Sequence, residues 1–319
     1  MNSPDLSVII PTCDRKDMLR KAILALYNQE APPEHFEIVV IDDGKVKDAH
    51  EVIQAIQKEK GVRNLSCYPG RTMGPAAARN DGVRHASGKI ILFIGDDILA
   101  HSRLLSEHMN AHRERDIPNL AVLGPAYWPP GDQRSRFLAF LMAGDQFGYS
   151  FIQDPSNVPY NFFYTSNISI HRDFMLENGG FDEDFPTPAW EDIELGYRLK
   201  QKGLEFIYRE NAVAYHHHKT DLAAFCKRRY MIGVTASIFY EKHPEEGEML
   251  MLDRMPARPG WLKKGFYTLL EKSFISLENR KLSGLVPGRI FYPCLRLISN
   301  YNYYRGLRES IGPAGKDLE

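Results

Sequence analysis

The feature that most constrains this chain is a set of apolar runs with no polar alternation: LSVIIPT at 6–12, FEIVVIDDG at 36–44 and KIILFIG at 89–95. A strand with one wet face alternates polar and apolar residues, whereas runs like these need cover on both faces. The intervening sequence supplies it. DMLRKAILALYNQ (17–29) repeats apolar residues at helical spacing through Met18, Leu19, Ala22, Ile23 and Leu26. Further helices are expected near 48–59 and from GPAAARNDGVRHA, with a short strand near 64–68. Alternating strands and helices predict an α/β fold: a mostly parallel, Rossmann-like central sheet flanked by helices, with ligands beyond the carboxyl ends of the strands. Acids stand at those ends, Asp42 and Asp43 after the second run and Asp96 and Asp97 after the third.

Signals loosen over 120–165. YWPPGD reads as a turn and QRSRFLAFLMAGDQFGYS as a helix or a mobile segment, expected to form a flexible wall of the site. NFFYTSNISIHRDFMLENGGFDEDFP reads as strand, short helix and Gly-Gly turn. PAWEDIELGYRLKQKG is a well-marked helix, with Pro188 ahead of it, Glu191 and Asp192 in its first turn, late basic residues and Gly203 as its stop. LEFIYRENAVAYHHHKT adds a strand or two running into His216, His217 and His218. These signals place an α/β domain at 1–220 and a helical region at 221–319.

At 319 residues with 43% hydrophobic content, the chain is long enough for one large domain and an appendage. A net charge of −1 argues against a generally basic nucleic-acid binder and against an acidic disordered chain. Four separated cysteines form no CxxC pair, and no secretory h-region opens the sequence. The longest apolar runs fall far short of the roughly 20 residues of a membrane span. A cytoplasmic chain without a transmembrane helix is expected.

Adjacent strand residues point to opposite faces, so Asp96 and Asp97 cannot do the same job on extended backbone. One could reach a hard cation such as Mg²⁺ or Mn²⁺, which shares its coordination with phosphates, while the other takes a hydroxyl. The plainer reading is an N-cap for a following helix, and for Asp42-Asp43-Gly44 a turn. Two such pairs in one α/β unit favour a ligand. The histidine tract, alone, is weak evidence for metal.

LSVIIPTCDR, IVVIDDG, GPAAARNDGVRHASGKIILFIGDD, TSNISIHRDF, GGFDEDF and WEDIELGYRL together resemble, in order, the successive blocks of family 2 glycosyltransferases, which have the GT-A nucleotide-sugar fold. The resemblance spans roughly residues 5 to 220. It implies a nucleotide-sugar half in 1–100 and an acceptor and base region in 120–220. Pro11, Thr12 and Asp14 would lie along the nucleobase and ribose, Asp43 would hydrogen-bond the base, usually uracil, and Arg79 would sit near base and diphosphate. Asp96 would contact ribose and Asp97 would bind a divalent metal, Mn²⁺ or Mg²⁺, with His216 or His218 completing the metal or diphosphate site. Of these two His216 is favoured, and His218 with Asn167 and Trp190 would shape the substrate pocket. Many relatives have an acid where Gly95 stands, so the motif is shortened here. Asp192 would be the general base and Glu191 its partner acid, orienting the acceptor or tuning Asp192.

The reaction implied is an inverting transfer from a UDP-linked sugar to a hydroxyl of a saccharide or lipid-linked saccharide, in polysaccharide or cell-envelope synthesis. A nucleotidyltransferase is disfavoured because PTCDRKDM has no glycine-rich phosphate loop, and an NAD domain because no GxGxxG follows the first strand. A non-catalytic sugar-binding relative is disfavoured by the intact Asp97 and Asp192. Beyond Thr220, residues 254–308 hold eleven Lys or Arg against two acids, interleaved with aromatics. Such helices either lie on an anionic membrane, giving peripheral attachment to the inner face, or pack on the domain or in a homodimer contact.

Overall fold

A computed structural model describes residues 3–129, 135–145, 147–218, 220–250, 252 and 261–311. The chain divides into two compact units, one of residues 1–129 with 147–218 and one of residues 130–146 with 219–319. In chain order the elements are β1 (Leu6–Thr12), α1 (Lys16–Leu26), β2 (Phe36–Asp42), α2 (Ala49–Lys60), β3 (Leu65–Pro69), α3 (Pro75–His85) and β4 (Ile90–Ile94). Then come β5 (Ile98–Ala100), α4 (Leu104–Arg115), β6 (Leu120–Leu123), β7 (Ala126–Tyr127), α5 (Arg136–Phe140), β8 (Asn167–His171) and α6 (Arg172–Glu177). The last are α7 (Glu191–Gln201), β9 (Glu205–Tyr208), β10 (Ala214–His216), α8 (Leu222–Lys242), α9 (Trp261–Asn279) and α10 (Gly288–Ser310).

In the first unit a seven-stranded sheet runs β3-β2-β1-β4-β8-β6-β9. Only β8 is antiparallel to its neighbours β4 and β6. The uninterrupted apolar runs are buried as expected, and alternate residues feed two separate cores. Val8 and Ile10 of β1, Ile38 and Val40 of β2 and Leu92 of β4 pack with Leu19 and Ile23 of α1 and Ile53 of α2. On the opposite face Ile9, Ile91, Phe93 and Ile168 pack with Val83 of α3 and Leu195 and Leu199 of α7. Each such side chain contributes about 1.5–3 kcal/mol when removed from water.

The strand order reverses at β1, which is where an open α/β sheet leaves a crevice. β1 pairs with β2 as far as Thr12↔Asp42 but with β4 only as far as Ile9↔Phe93. Pro11, which has no N–H to donate, lies in the stretch that has parted from β4. A second sheet of three strands, β5-β10-β7, follows the end of β4.

Some boundaries differ from the sequence expectation. α1 ends at Leu26, and Gln29 leaves the helix to donate its side-chain amide to the carbonyls of Ala25 and His101. The YWPPGD turn lies partly outside the described residues. In the neighbouring segment α5 runs into a wider π-helical turn at Leu141–Asp145, and both belong to the second unit.

In the second unit α8 and α10 cross backbone to backbone. A Cβ on Gly233 would overlap the carbonyl oxygen of Tyr303, and one on Gly306 that of Tyr230. No helix among the described residues is long and apolar enough to cross a membrane. Gly306→Ala is expected to destabilise this unit by about 1–3 kcal/mol, the cost of overpacking. In denaturant titration its midpoint should fall, while Gly265→Ala, where an added methyl meets nothing within 4 Å, should leave it unchanged or raise it.

Candidate functional site

After β4 the chain turns through Gly95, Asp96 and Asp97 and re-enters as a strand, β5. The helix-cap reading of the acid pair therefore fails: α4 begins only at Leu104. Asp96 is fully buried, its Oδ2 accepting from Thr12 Oγ1 at 2.8 Å. Arg15, in the loop after β1, sets one guanidinium across both acids, with Nη2 2.6 Å from Asp96 Oδ1 and Nη1 2.9 Å from Asp97 Oδ2. Burial pushes the Asp96 carboxyl up to about 6, with Arg15 opposing and Asp97 adding to the rise. Thr12 and Arg15 thus hold both oxygens of Asp96, the acid expected to touch ribose. At Gly95 a Cβ would stand 2.9 Å from Asp97 Oδ1, so the glycine lets the turn close against that carboxylate.

β10 completes this corner. It runs antiparallel to β5 with His216 opposite Ile98, and the ladder extends one step as His217 N–H donates to the Asp97 carbonyl at 2.8 Å. Alternate strand residues share a face. His216 and His218 thus meet the carboxylate, with His216 Nε2 3.5 Å and His218 Nδ1 3.4 Å from Asp97 Oδ2, while His217 is exposed. One ligand atom from each of Asp97, His216 and His218 lies within 4.8 Å of the others. Burial alone would raise Asp97, but hydrogen bonds from the two histidines and the charge of Arg15 hold it far below the usual carboxylate range. One carboxylate and two imidazoles form a donor set that suits a divalent transition metal. Both histidines belong to that set, His218 beside Asp97 as well as His216.

On the other flank of β1, Asp42 is a turn residue, its oxygens accepting from Gly44 N–H and Ala49 N–H. Asp43 accepts from Thr72 N–H at 2.6 Å and Gly74 N–H at 2.9 Å, which fixes the loop leading into α3. Gly74 has φ +97, and its missing Cβ leaves space that the Pro186 carbonyl takes. Asp14, also at positive φ, accepts from Val46 N–H at 3.1 Å. A carboxylate has about four acceptor sites, so Asp43 keeps capacity for a ligand donor.

The helix bearing the third acid pair starts under strain. Ala189 and Trp190 have φ of 98° and 73°, both left-handed and neither glycine. Glu191, buried, holds this turn: Oε2 accepts from Ala189 N–H at 2.7 Å and Oε1 from Arg79 Nη1 at 2.9 Å. Each Glu191 oxygen is thus engaged, one by Arg79 and the other by the Ala189 amide. Trp190, expected in the substrate pocket, is 6% exposed. Asp192 keeps partial solvent access, accepting from Ile193 N–H at 2.9 Å and Thr165 N–H at 3.4 Å. Its recess pushes the carboxyl well above the ordinary carboxylate range through burial, with the charge of Glu191 adding and Arg79 opposing.

Asn167, expected to shape the sugar pocket, is fully buried; its amide donates to the carbonyls of Pro125 and Ala212, and its oxygen bonds His108 Nε2. An aromatic run that the motifs did not signal joins the two acid centres. Trp128 and Phe147 stand 5.4 and 5.7 Å from the His216 ring, Phe147 is 5.6 Å from Tyr164, and the Asp192 charge helps burial raise the Tyr164 hydroxyl. Arg15 was equally unsignalled, since its place depends on knowing that β1 neighbours β4.

The profile described as Glycosyl transferase family 2 matches residues 7–170, and that of Glycosyl transferase family group 2 matches residues 90–309. The chain belongs to glycosyl transferase family 2. Validoxylamine A glucosyltransferase of Streptomyces hygroscopicus subsp. limoneus is 28% identical over 265 residues, 76% of this chain and 57% of the relative. Against that protein and two other relatives the chain spans 57%, 64% and 61% of their lengths. The fold is that of GT-A enzymes. S. aureus TarS 1–349 in complex with UDP superposes with a TM-score of 0.56 at 16% identity, covering 96% of this chain and 90% of that one. The mannosyltransferase PcManGT from Pyrobaculum calidifontis, in complex with GDP-Man and Mn²⁺, gives 0.55 at 16% identity over 95% and 88%.

Arg15 and a divalent cation would compete for Asp97 Oδ2. Arg15→Ala is expected to tighten Mn²⁺ binding a few-fold in calorimetry, the worth of a half-exposed ion pair at about 1 kcal/mol or less. His216→Ala is expected to weaken it, since it removes a donor.

Proposed function

We propose that this chain is a metal-assisted, inverting glycosyltransferase that moves a sugar from a nucleoside diphosphate sugar, UDP-linked, to a hydroxyl of a saccharide or lipid-linked saccharide. The observation that carries the reading is the convergence of Asp97, His216 and His218 where β1 and β4 part. A crevice at a strand-order reversal suits a nucleotide, and family membership supports the sugar donor. Further support comes from the TarS structure with UDP and the PcManGT structure with Mn²⁺, as folds of the same kind.

The roles divide along the first unit. Asp97, His216 and His218 would hold the cation, which when bound offers positive charge to a diphosphate leaving group. Asp43 and the loop it fixes would meet the base, with Pro11, Thr12 and Asp14 beside it. The aromatic run from Trp128 to Tyr164 would offer apolar faces to the sugar. Asp192 accepts the proton of the acceptor hydroxyl as its oxygen attacks the anomeric carbon. A raised carboxyl holds that proton better than an ordinary aspartate. Attack from the side opposite the leaving diphosphate inverts the centre in one displacement, with no covalent enzyme intermediate. Glu191 and Arg79 act as positioning residues: they keep the strained entry to α7 closed and set the charge around Asp192.

Calorimetry with UDP and UDP-sugars, with and without Mn²⁺, tests the assignment. Donor binding should require the ion and be lost in Asp97→Ala; binding indifferent to both would overturn it. Asp192→Asn should lower kcat by about 10²–10⁴-fold with donor affinity retained, as expected for loss of a general base.

The pH profile has a definite sign. Asp192 must be ionised to accept a proton, so transfer rises with pH, with a midpoint nearer neutrality than the ordinary aspartate value of about 4. Glu191→Gln removes a neighbouring negative charge and leaves Arg79 unopposed. Both changes should move the midpoint to lower pH in a rate profile, and an unmoved midpoint would remove Glu191 from the tuning role.

A further inference from the structure

From Asn279 to Arg308 the chain has six Lys or Arg and no Asp or Glu. Four of these cations, Arg280, Lys281, Arg289 and Arg296, are exposed in the connection between α9 and α10 and on the outer face of α10. The same connection and the same face of α10 also display exposed apolar side chains. Leu285 is 79% exposed, Ile290 48%, and Leu282 and Leu297 39% each. On α10 the outer residues fall at 289, 290, 292, 293, 296, 297 and 300, one helical face, while Phe291, Leu295 and Ile298 of the opposite face are buried.

The connecting loop is pinned rather than free to fold its leucines inward. Arg136 Nη1 donates to the Ser283 carbonyl at 3.1 Å and to the Val286 carbonyl, and its guanidinium lies 4.8 Å over the Phe291 ring. Lys281 turns the chain at φ +57, and Leu285 N–H donates to the Leu282 carbonyl at 3.0 Å. Leucines and cations are thus interspersed along one hydrogen-bonded connection and the outer face of α10.

We propose that this surface docks on an anionic lipid bilayer, Leu282, Leu285, Ile290 and Leu297 entering the interface and the four cations meeting headgroup phosphates. Charge selects this occupant. A lipid interface offers negative charge and hydrocarbon within a few ångströms of each other, which is the pairing displayed here. A second copy docking by two-fold symmetry would set this patch against itself, cation against cation, with no acid in the stretch to answer. Nucleic acid would satisfy the cations but give the leucines nothing. Attachment lies along the surface, since no described helix can span a membrane.

Sedimentation of the full chain with phosphatidylcholine vesicles, with and without phosphatidylglycerol, tests this directly. Binding to the anionic vesicles should exceed binding to neutral ones by on the order of tenfold and weaken as salt is raised. Leu282→Glu with Leu285→Glu should lose most of it, as should Arg280→Gln with Lys281→Gln. Because all four side chains are exposed, unchanged thermal melting should accompany both losses. Equal binding to the two vesicle types, or anionic binding that survives both double variants, overturns the proposal. So does a concentration-dependent dimer in ultracentrifugation that Leu285→Glu dissolves, for the patch would then be a protein contact.

Discussion

The hydrogen bond from His217 N–H to the Asp97 carbonyl is the interaction on which the site's geometry depends. It extends the β5–β10 ladder by one residue, and in doing so converts a sequence of three histidines into two that face a carboxylate and one that faces water. No side-chain preference could do this alone, because strand periodicity decides which imidazoles share a side. The acid belongs to the turn after β4 and the histidines come more than a hundred residues later, so main-chain pairing carries the alignment across that separation. Loss of register by one residue would present His217 to Asp97 and turn the other two away.

Around this ladder the structure sets opposing electrostatic demands against each other. Asp96 and Asp97 are adjacent, both deeply placed, and yet they are driven in opposite directions. Burial dominates Asp96, whereas histidines and Arg15 dominate Asp97. Asp192 is a third case, in which burial and a neighbouring acid outweigh an arginine. Three aspartates with one intrinsic chemistry therefore have different proton affinities, and the differences come from what the fold places beside each.

The sheet was legible in sequence because its signal is local. A run such as LSVIIPT is apolar at successive positions whatever follows it, and β1 has the boundaries that the run suggests. The end of α1 was not, since Gln29 is a good helix former drawn off by a carbonyl 72 residues away. The acids were found because charge at the end of a buried strand is conspicuous. Arg15 was missed because its meaning arises only once β1 and β4 are neighbours. The motif that marks Asn167 does not show that its amide ties β8 to the Pro125 and Ala212 carbonyls, since those partners lie more than forty residues away along the chain. Arg79 and Glu191 were each noticed and were given separate duties, although their principal contact is with one another across 112 residues.

That contact binds α3 and α7 into a shared inheritance. Glu191 grips Arg79 with one oxygen and the Ala189 amide with the other, so positions 79, 189, 190 and 191 share one solution to a strained turn. A replacement at any of them leaves the others holding a shape they no longer need, or a buried charge with no counterpart. These four positions should therefore drift in concert among descendants of this chain, as a quartet that is kept whole or exchanged whole.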